Sequence, residues 1–196
     1  MIDVLIGFYI ATLITELFTT RLYRLLGWYA LNSLFLGLIA IYMGTQISDS
    51  AMIISGSITI VIKFMLIPYV LKYIATKFNI PRNINPNLKV HYSTIIVPVI
   101  LVFTYYLVNP IIHNMAYNAN YVALSISSLF LAMLLIIEHK NIAPKIVGFL
   151  SIENALFLLA ISATKGMPML VELGIFVDLL MLIVIVNILF KHQGDF

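Results

Sequence analysis

Three acidic side chains lie in the C-terminal part of the sequence among residues that otherwise suit lipid. Glu153, Glu172 and Asp178 fall in the apolar segment IVGFLSIENALFLLAISATKGMPMLVELGIFVDLL, and Lys63 falls in an apolar segment of the first half. A charged group at the centre of a bilayer costs at least about 3 kcal/mol, so such residues normally face protein or water and take part in proton or ion transfer. The sequence therefore predicts a proton or ion path that uses Glu153, Glu172, Asp178 and Lys63.

The composition indicates a polytopic membrane protein. Of the 196 residues, 62% are hydrophobic and only 10% are charged, and the mean hydropathy is +1.07, which lies outside the range of soluble domains. The sequence contains no Cys, which excludes disulfides, thiolate chemistry and cysteine-ligated clusters. The four His residues are also scattered along the sequence, so we expect no metal site, no redox cofactor and no catalytic residue. The basic residues form no patch that would bind nucleic acid.

Seven apolar runs bounded by polar turns predict an all-α protein with seven transmembrane helices. Each run is long enough to cross a hydrocarbon core of about 30 Å at about 1.5 Å per residue. The first run has no basic region before it and no small-residue cleavage site after it, so we interpret it as a retained helix and not as a signal peptide. The predicted helices span residues 2–19, 25–44, 51–75, 91–109, 120–137, 145–163 and 168–190.

Basic residues mark every second connection between the predicted helices. Cytoplasmic connections of membrane proteins carry an excess of Lys and Arg. The alternation therefore predicts an inner-membrane protein with its N-terminus outside and its C-terminus in the cytoplasm. Lys165 departs from this alternation. The basic residues that define the alternation are Arg21, Arg24, Lys77, Arg82, Lys89, Lys140, Lys145 and Lys191.

Two segments of the sequence align and indicate an internal repeat. When Arg24 is placed on Lys145, RLLGWYALNSLFL falls on KIVGFLSIENALF, and Asn32 falls on Glu153. Two three-helix units of the same orientation need one extra crossing between them, so we predict two parallel repeats joined by one helix. The parts are a first repeat at 1–77, a linker with the fourth helix at 78–119, and a second repeat at 120–196. Chance similarity between Leu-rich helices is the competing explanation.

Residue counting suggests a partner for Lys63. Lys63 and Asp178 each lie roughly 20 Å from the inner side, and opposite charges at equal depth predict an ion pair, with Glu172 as the alternative partner. Pro68 cannot donate a backbone hydrogen bond, so it frees a carbonyl one turn from Lys63. The competing explanation is a purely structural ion pair that holds two helices in register.

Three further ionisable residues are expected to lie outside this path. Glu16 is near an inner helix end and close in sequence to Arg21 and Arg24. An interfacial carboxylate costs little, so we expect Glu16 at the membrane surface without a role in proton transfer. His113 and His139 are expected in solvated loops.

The segments VGFLSIENALFLLAIS and MPMLVELGIFVDLLMLIVIVNILF resemble the E component of hydrogenase-4-type complexes, which are group 4 hydrogenases related to complex I. The C-terminal half of that component is similar to the K subunit of complex I and to the C component of Mrp-type antiporters. The most specific residues of the resemblance are Glu153, Asn154, the LVELGIFVD segment and the lysine before LIPYVL. In K-type subunits two intramembrane glutamates carry protons. Glu153 matches the first, and the second falls nearer Asp178 than Glu172.

The resemblance implies a cofactor-free subunit between a peripheral redox module and larger antiporter-like membrane subunits. Such a subunit passes protons or Na⁺ along a lateral polar axis, with lipid and the other membrane subunits as partners. Asn32 departs from the family pattern, which implies that the N-terminal repeat has lost its own copy of the first carboxylate. Asn32, Asn154 and Pro68 are the expected supporting residues. The alternatives are a free-standing small transporter or channel, which requires a substrate-sized pocket, and a structural membrane anchor.

Overall fold

The computed structural model describes residues 1–77, 80–84, 86, 90–112 and 119–163, and this part of the chain is all-helical. Its helices match the first six predicted ones, and their ends differ from the predicted ends by no more than three residues. The seventh predicted helix, at 168–190, lies outside the described residues. The six helices are α1 (Ile2–Leu17), α2 (Leu22–Ile47), α3 (Ser50–Lys77), α4 (Val90–Ile112), α5 (Ala119–Glu138) and α6 (Ile142–Ala163).

Four of the described helices, α2, α3, α5 and α6, are long and apolar enough to cross a membrane. The apolar part of α4, Tyr92–Val108, is shorter. Helix α1 has 16 residues, which corresponds to a length of roughly 24 Å. The chain is therefore an integral membrane protein, as its composition predicts. Membrane crossing by α1 and α4 stays a prediction.

The residues that follow α3 contact two other connections at one end of the helix bundle. The backbone N–H of Leu22, at the start of α2, donates to the carbonyl of Arg82 over 2.9 Å. Pro86 forms an isolated β-bridge with His139, which directly follows α5. The basic residues of these three connections therefore share one end of the bundle, which agrees with the alternation predicted from the sequence.

Helices α2 and α3 are joined by a tight turn. Ser48 ends α2 with a positive φ of 55°. The carboxylate of Asp49 then accepts hydrogen bonds from the backbone N–H groups of Ala51 and Met52, over 3.0 and 3.4 Å. A cap of this kind satisfies donors that have no partner inside the helix. The turn therefore fixes α3 in an antiparallel arrangement beside α2.

Two glycines bring the backbones of α2 and α3 into direct contact. A Cβ atom added at Gly56 would lie 2.8 Å from the carbonyl oxygen of Gly37, and one added at Gly37 would lie 2.9 Å from the carbonyl oxygen of Gly56. Small residues allow such close approach, which is a common basis of helix association in lipid. Lys63 of α3 and Asn32 of α2 lie one to two turns from this crossing, toward the basic end of the bundle, and both bond to Asn154.

The middle of α3 is a π-helical segment, Ile60–Leu66, with Lys63 at its centre. The backbone N–H of Ile67 donates to the carbonyl of Ile62, five residues earlier. Pro68 follows at once and has no N–H group with which to restore the usual bond to the fourth preceding residue. The structure thus has a wider helical turn before Pro68, and the free carbonyl predicted from Pro68 stays a prediction. Such turns are rare and occur frequently at functional sites.

Buried apolar side chains form two clusters along the bundle. Helix α2 packs on α1, α3 and α6, and α5 packs on α4, α6 and α1. The cluster toward the basic end of the bundle includes Leu13, Leu25, Ile74, Leu135 and Leu150. The cluster toward the opposite end includes Ile6, Leu36, Ile39, Met52 and Leu158. The buried polar residues Thr12, Asn32, Ser33, Lys63, Glu153 and Asn154 lie between these two clusters along their helices.

Candidate functional site

Lys63 and Glu153 form an ion pair inside the helix bundle. The Nζ atom of Lys63 lies 3.6 Å from Oε1 of Glu153, and the two side chains are only 4% and 8% exposed. Lys63 extends from the π segment of α3, and Glu153 extends from the middle of α6. A buried ion pair is stable only when further hydrogen bonds satisfy its polar atoms. The surrounding polar side chains are therefore part of the site.

Asn154, the residue after Glu153, connects the ion pair to α2. Its Oδ1 atom accepts a hydrogen bond from Nζ of Lys63 over 3.2 Å. Its Nδ2 atom donates to Oδ1 of Asn32 over 3.1 Å and to Oγ of Ser33 over 3.0 Å. A carboxamide offers both donors and an acceptor. The single side chain of Asn154 therefore joins the Lys63 ammonium group to the neighbouring helix.

Asn32 extends these contacts to α1. Its Nδ2 atom donates to the backbone carbonyl of Tyr9 over 2.9 Å and to Oγ1 of Thr12 over 3.2 Å. We call the six buried residues that are linked in this way the central polar cluster. They are Thr12, Asn32, Ser33, Lys63, Glu153 and Asn154. The cluster connects α1, α2, α3 and α6, and it holds one cationic and one anionic side chain.

The structure brings together four of the residues selected from the sequence, which are Lys63, Glu153, Asn32 and Asn154. The contact between Lys63 and Glu153 was not predicted. Glu153 lies eight residues after Lys145, which corresponds to roughly 12 Å from the inner side and is less than the depth counted for Lys63. Such counting ignores helix tilt and the length of the lysine side chain. Glu172 and Asp178 lie outside the described residues, so their pairing with Lys63 stays a prediction.

Sequence reasoning missed Thr12 and Ser33. Hydroxyl side chains in apolar helices often bond only to their own backbone, and Thr12 does donate to the carbonyl of Tyr9 over 2.8 Å. The available signal for Ser33 was in the repeat alignment, which places it on Asn154. These two aligned residues are in direct contact through the hydrogen bond from Asn154 to Ser33.

Glu16 is fully buried within the helix bundle, so the surface carboxylate expected from the sequence is not observed, although the residue does lie near the end of α1. Its Oε2 atom accepts a hydrogen bond from Oγ of Ser151 over 2.9 Å, and its side chain is 0% exposed. Helix α6 covers the last turn of α1 at this point. Nearness in sequence to Arg21 and Arg24 therefore does not bring the Glu16 carboxyl group to the surface.

His139 is also buried, although a solvated loop was expected. Its Nδ1 atom lies 3.1 Å from the carbonyl oxygen of Leu135, and the whole residue is 1% exposed. The preceding residue, Glu138, accepts a hydrogen bond from Oγ of Ser93 over 2.7 Å, so α4 covers this loop. His113 lies outside the described residues. Across the described ranges, no group of three or more His, Cys, Asp or Glu side chains is arranged to hold a metal ion.

An apolar groove of about 480 Å³ lies apart from the ion pair, between α1, α4 and α5. No residue of the central polar cluster lines it. Among its lining residues are Ile6, Gly7, Ile10, Leu101, Tyr105 and Leu124. The groove therefore gives no access to Lys63 or Glu153.

These features define an all-helical integral membrane protein whose ion pair is buried and held by amides of neighbouring helices. Over 90% of its length the chain is 26% identical to Hydrogenase-4 component E of Escherichia coli K12, covering 84% of that protein, and the match to the same component of Shigella flexneri has the same values. It is 21% identical over 85% of its length to an uncharacterized protein of Mycobacterium tuberculosis, covering 75% of that protein. No family model and no solved structure matches the chain.

The similarity to component E confirms the resemblance to hydrogenase-4-type membrane subunits that the sequence indicated. It covers 90% of the chain, so it includes both halves and is not confined to the segments around Glu153. The finer likeness of the C-terminal half to the K subunit of complex I and to the C component of Mrp-type antiporters stays a prediction.

Proposed function

We propose that the chain is a cofactor-free membrane subunit of an energy-converting redox complex of the group 4 hydrogenase type, and that it contributes to a lateral path for protons or Na⁺. The observation that carries this proposal is the buried ion pair between Lys63 and Glu153. Ionisable residues that face protein inside a membrane normally belong to proton or ion pathways. The similarity to hydrogenase-4 component E supports the kind of complex.

In this mechanism Glu153 accepts and releases the proton, and Lys63 supplies the opposite charge. While Glu153 is ionised, the Lys63 ammonium group at 3.6 Å balances it. Protonation of Glu153 removes this attraction, and Lys63 remains held by Oδ1 of Asn154 at 3.2 Å. Coulomb interactions are strong in a medium of low dielectric constant. A charge that moves in a neighbouring subunit therefore changes how strongly Glu153 holds its proton.

Asn32 and Asn154 support the path because their amides do not ionise. The hydrogen bond between them is 3.1 Å long and does not depend on the protonation state of Glu153 or Lys63. The connection between α2 and α6 can therefore persist while Glu153 changes its protonation state. The π segment and Pro68 support the path in a second way, because they shape the turn of α3 from which Lys63 extends.

Glu172 and Asp178 continue the path in this proposal, toward antiporter-like membrane subunits that are coupled to a peripheral redox module. The proposed location is the inner membrane, with the N-terminus outside and the C-terminus in the cytoplasm. The shared basic end of the bundle supports this orientation. Two parallel three-helix repeats belong to the same proposal, and they are supported by the packing of α1 on α5 and of α2 on α6.

The enclosed central polar cluster favours a relay over a free-standing transporter. A transporter needs a substrate-sized cavity beside its charged residues. The groove of about 480 Å³ described between α1, α4 and α5 is not such a cavity, because neither Lys63 nor Glu153 lies on its walls. A proton relay needs only hydrogen bonds and bridging waters between its groups. The contacts of the cluster fit this requirement better than they fit the requirement of a transporter.

The substitution Glu153→Gln tests the proposed function, because Gln has nearly the same shape but cannot exchange a proton. The complex is purified through a tag on this chain and reconstituted in vesicles. Proton and Na⁺ uptake are then followed with ion-sensitive dyes while the redox reaction runs. We expect uptake per electron to fall about 100-fold, the loss typical of removing a general acid or base, while the complex still assembles.

Asp49→Asn is the matched control, because it makes the same acid-to-amide change at the turn between α2 and α3, and Asn caps helices as well as Asp does. Its uptake should equal that of the wild type. Wild-type uptake in an assembled Glu153→Gln complex would refute the relay role, and the protein would then be a structural membrane anchor.

A further inference from the structure

Glu16 is a second buried carboxyl group, and it lies outside the central polar cluster. Its side chain is 0% exposed. Its Oε2 atom accepts a hydrogen bond from Ser151 over 2.9 Å, and its Oε1 atom has no hydrogen-bond partner among the described residues. An ionised carboxylate is very costly in such a place without a cation or several donors. Burying a protonated carboxyl group costs much less free energy, because the group is neutral.

The Glu16–Ser151 contact lies one helical turn from the central polar cluster. Glu16 follows Thr12 by four residues on α1, and Asn154 follows Ser151 by three residues on α6. Residues with these spacings are neighbours on one face of a helix. A single water molecule can bridge a gap of this size between polar groups. Glu16 and Ser151 are therefore placed to exchange protons with the cluster.

Glu16 also lies close to the basic end of the bundle. It is the second-last residue of α1, and the backbone N–H of Thr19, in the following connection, donates to its carbonyl over 3.2 Å. The same connection contacts the residues after α3, where Ile84 donates to the carbonyl of Thr20 over 2.8 Å. Along α1, Glu16 thus lies between Thr12 of the central polar cluster and the connection at the basic end.

The hydroxyl group of Ser151 has two acceptors for its single proton. Its Oγ atom lies 2.9 Å from Oε2 of Glu16 and 2.9 Å from the carbonyl oxygen of Val147. A hydroxyl hydrogen rotates to suit its partners, so it can point to either acceptor. A proton relay requires this freedom, because the hydroxyl group must turn back after each transfer before it can carry the next proton.

We propose that Glu16 is the proton entry or exit site of this protein at its basic end, and that Ser151 passes protons between Glu16 and the central polar cluster. This inference rests on the proposed function. In one transfer toward Glu16, the carboxylate takes the hydroxyl proton of Ser151 while Oγ takes a proton from a water molecule on the side of the cluster. The carboxyl group of Glu153 returns a proton to that water, directly or through further waters, so that one proton passes from Glu153 to Glu16 and the water is restored. One proton moves, and the hydroxyl group is restored.

The test uses Glu16→Gln in the intact complex, with Glu138→Gln as the matched control. Glu138 is also a buried carboxyl group that accepts a hydrogen bond from a serine, but its partner Ser93 lies on α4. Ion uptake per electron is measured in reconstituted vesicles, together with the infrared band of protonated carboxyl groups and its shift in D₂O. We expect Glu16→Gln to lose one such band and to lower uptake about 100-fold. Glu16→Asp should recover part of the uptake, and Glu138→Gln should keep wild-type uptake.

Wild-type uptake in an assembled Glu16→Gln complex, beside impaired uptake in Glu153→Gln, would overturn this inference and leave the proposed function in place. An equal loss of uptake in Glu138→Gln would also overturn it, because the loss would then follow from removing any buried acid and not from the location of Glu16. If Glu16→Gln prevents assembly, Ser151→Ala replaces it, with Ser125→Ala as the control. Ser151→Ala should slow the shift of the Glu16 band in D₂O at least about tenfold, and an unchanged rate would refute the role of Ser151.

Discussion

The side chains of Asn154 and Asn32 bond directly across the interface between α6 and α2, with Nδ2 of Asn154 donating to Oδ1 of Asn32 over 3.1 Å. Both residues are completely buried. On one side the pair reaches Lys63 through Asn154, and on the other it reaches α1 through Asn32. Four helices are therefore tied together by two neutral amides that lie beside a buried ion pair.

We expect Asn154→Leu to destabilise the protein by about 1 to 3 kcal/mol or more. The substitution removes the hydrogen-bond partner of Asn32 and one acceptor of the Lys63 ammonium group, and buried polar groups that lose their partners cost about this much each. The measurement is the free energy of unfolding in mixed detergent micelles. Ser57→Ala, which removes an exposed hydroxyl group bonded only to its own helix, should change it by less than about 0.5 kcal/mol.

Lys63→Met should be strongly destabilising, by about 3 to 5 kcal/mol, because it leaves the Glu153 carboxylate buried without its cation. Adding Glu153→Gln should restore much of this loss, since the second change removes the uncompensated charge. A double-mutant cycle on the free energy of unfolding measures the coupling. Additive effects of the two substitutions would show that the ion pair seen at 3.6 Å contributes nothing to stability.

The same cycle with Asp178→Asn, and with Glu172→Gln, tests the pairing that residue counting predicted. If Asp178 also interacts with Lys63, Asp178→Asn should partly rescue Lys63→Met, and the larger rescue identifies the nearer carboxylate. If the two substitutions have additive effects in both cycles, neither Asp178 nor Glu172 interacts with Lys63, and Glu153 is the acid that pairs with it.

Gly56→Ala should separate α2 from α3, whereas Gly27→Ala should not disturb the fold. A Cβ atom at Gly56 would lie 2.8 Å from the backbone oxygen of Gly37, which cannot move aside as a side chain can, but a Cβ atom at Gly27 has nothing within 4 Å. Overpacking of this kind costs about 1 to 3 kcal/mol. Gly27→Ala should be neutral or stabilising by up to about 1 kcal/mol, since Ala favours helix. Thermal unfolding in detergent distinguishes the two variants.

The absence of Cys from the sequence makes single-cysteine labelling a clean test of orientation. Lys140 and Gln46 are both exposed and lie at opposite ends of the bundle. With the proposed orientation, Lys140→Cys should react with a membrane-impermeant maleimide only in inverted vesicles, and Gln46→Cys should react in intact cells. The reverse pattern would invert the orientation and place the basic end of the bundle outside.

Hydrophobic patterning predicted the six described helices well, because each apolar run is bounded by residues that lipid does not accept. The predicted run at 145–163 and the observed Ile142–Ala163 differ only at the start. The contact between Lys63 and Glu153 could not be predicted in the same way. It depends on how α3 and α6 approach each other, and neither helix contains that information by itself.

Glu16 and His139 show a second limit of reading a membrane sequence. Both lie near basic residues in the sequence, so the surface was the reasonable expectation for them. Their burial comes from partners far along the chain: Ser151 lies 135 residues after Glu16, and the loop that holds His139 pairs with Pro86. Local charge predicts which end of a helix is at the interface, but it does not predict which side chains a neighbouring helix covers.

The wider turn at Ile60–Leu66 also affects how α3 has to be compared with other proteins. Such a turn takes up about one residue more than an ordinary helical turn, so every later residue is rotated by about 100° around the axis relative to an uninterrupted helix. In a relative that lacks this turn, residues beyond it align only after a one-residue gap. Deleting one residue here would rotate Leu71 by about 100° relative to Gly56, so the shortened helix could no longer bury both of these residues.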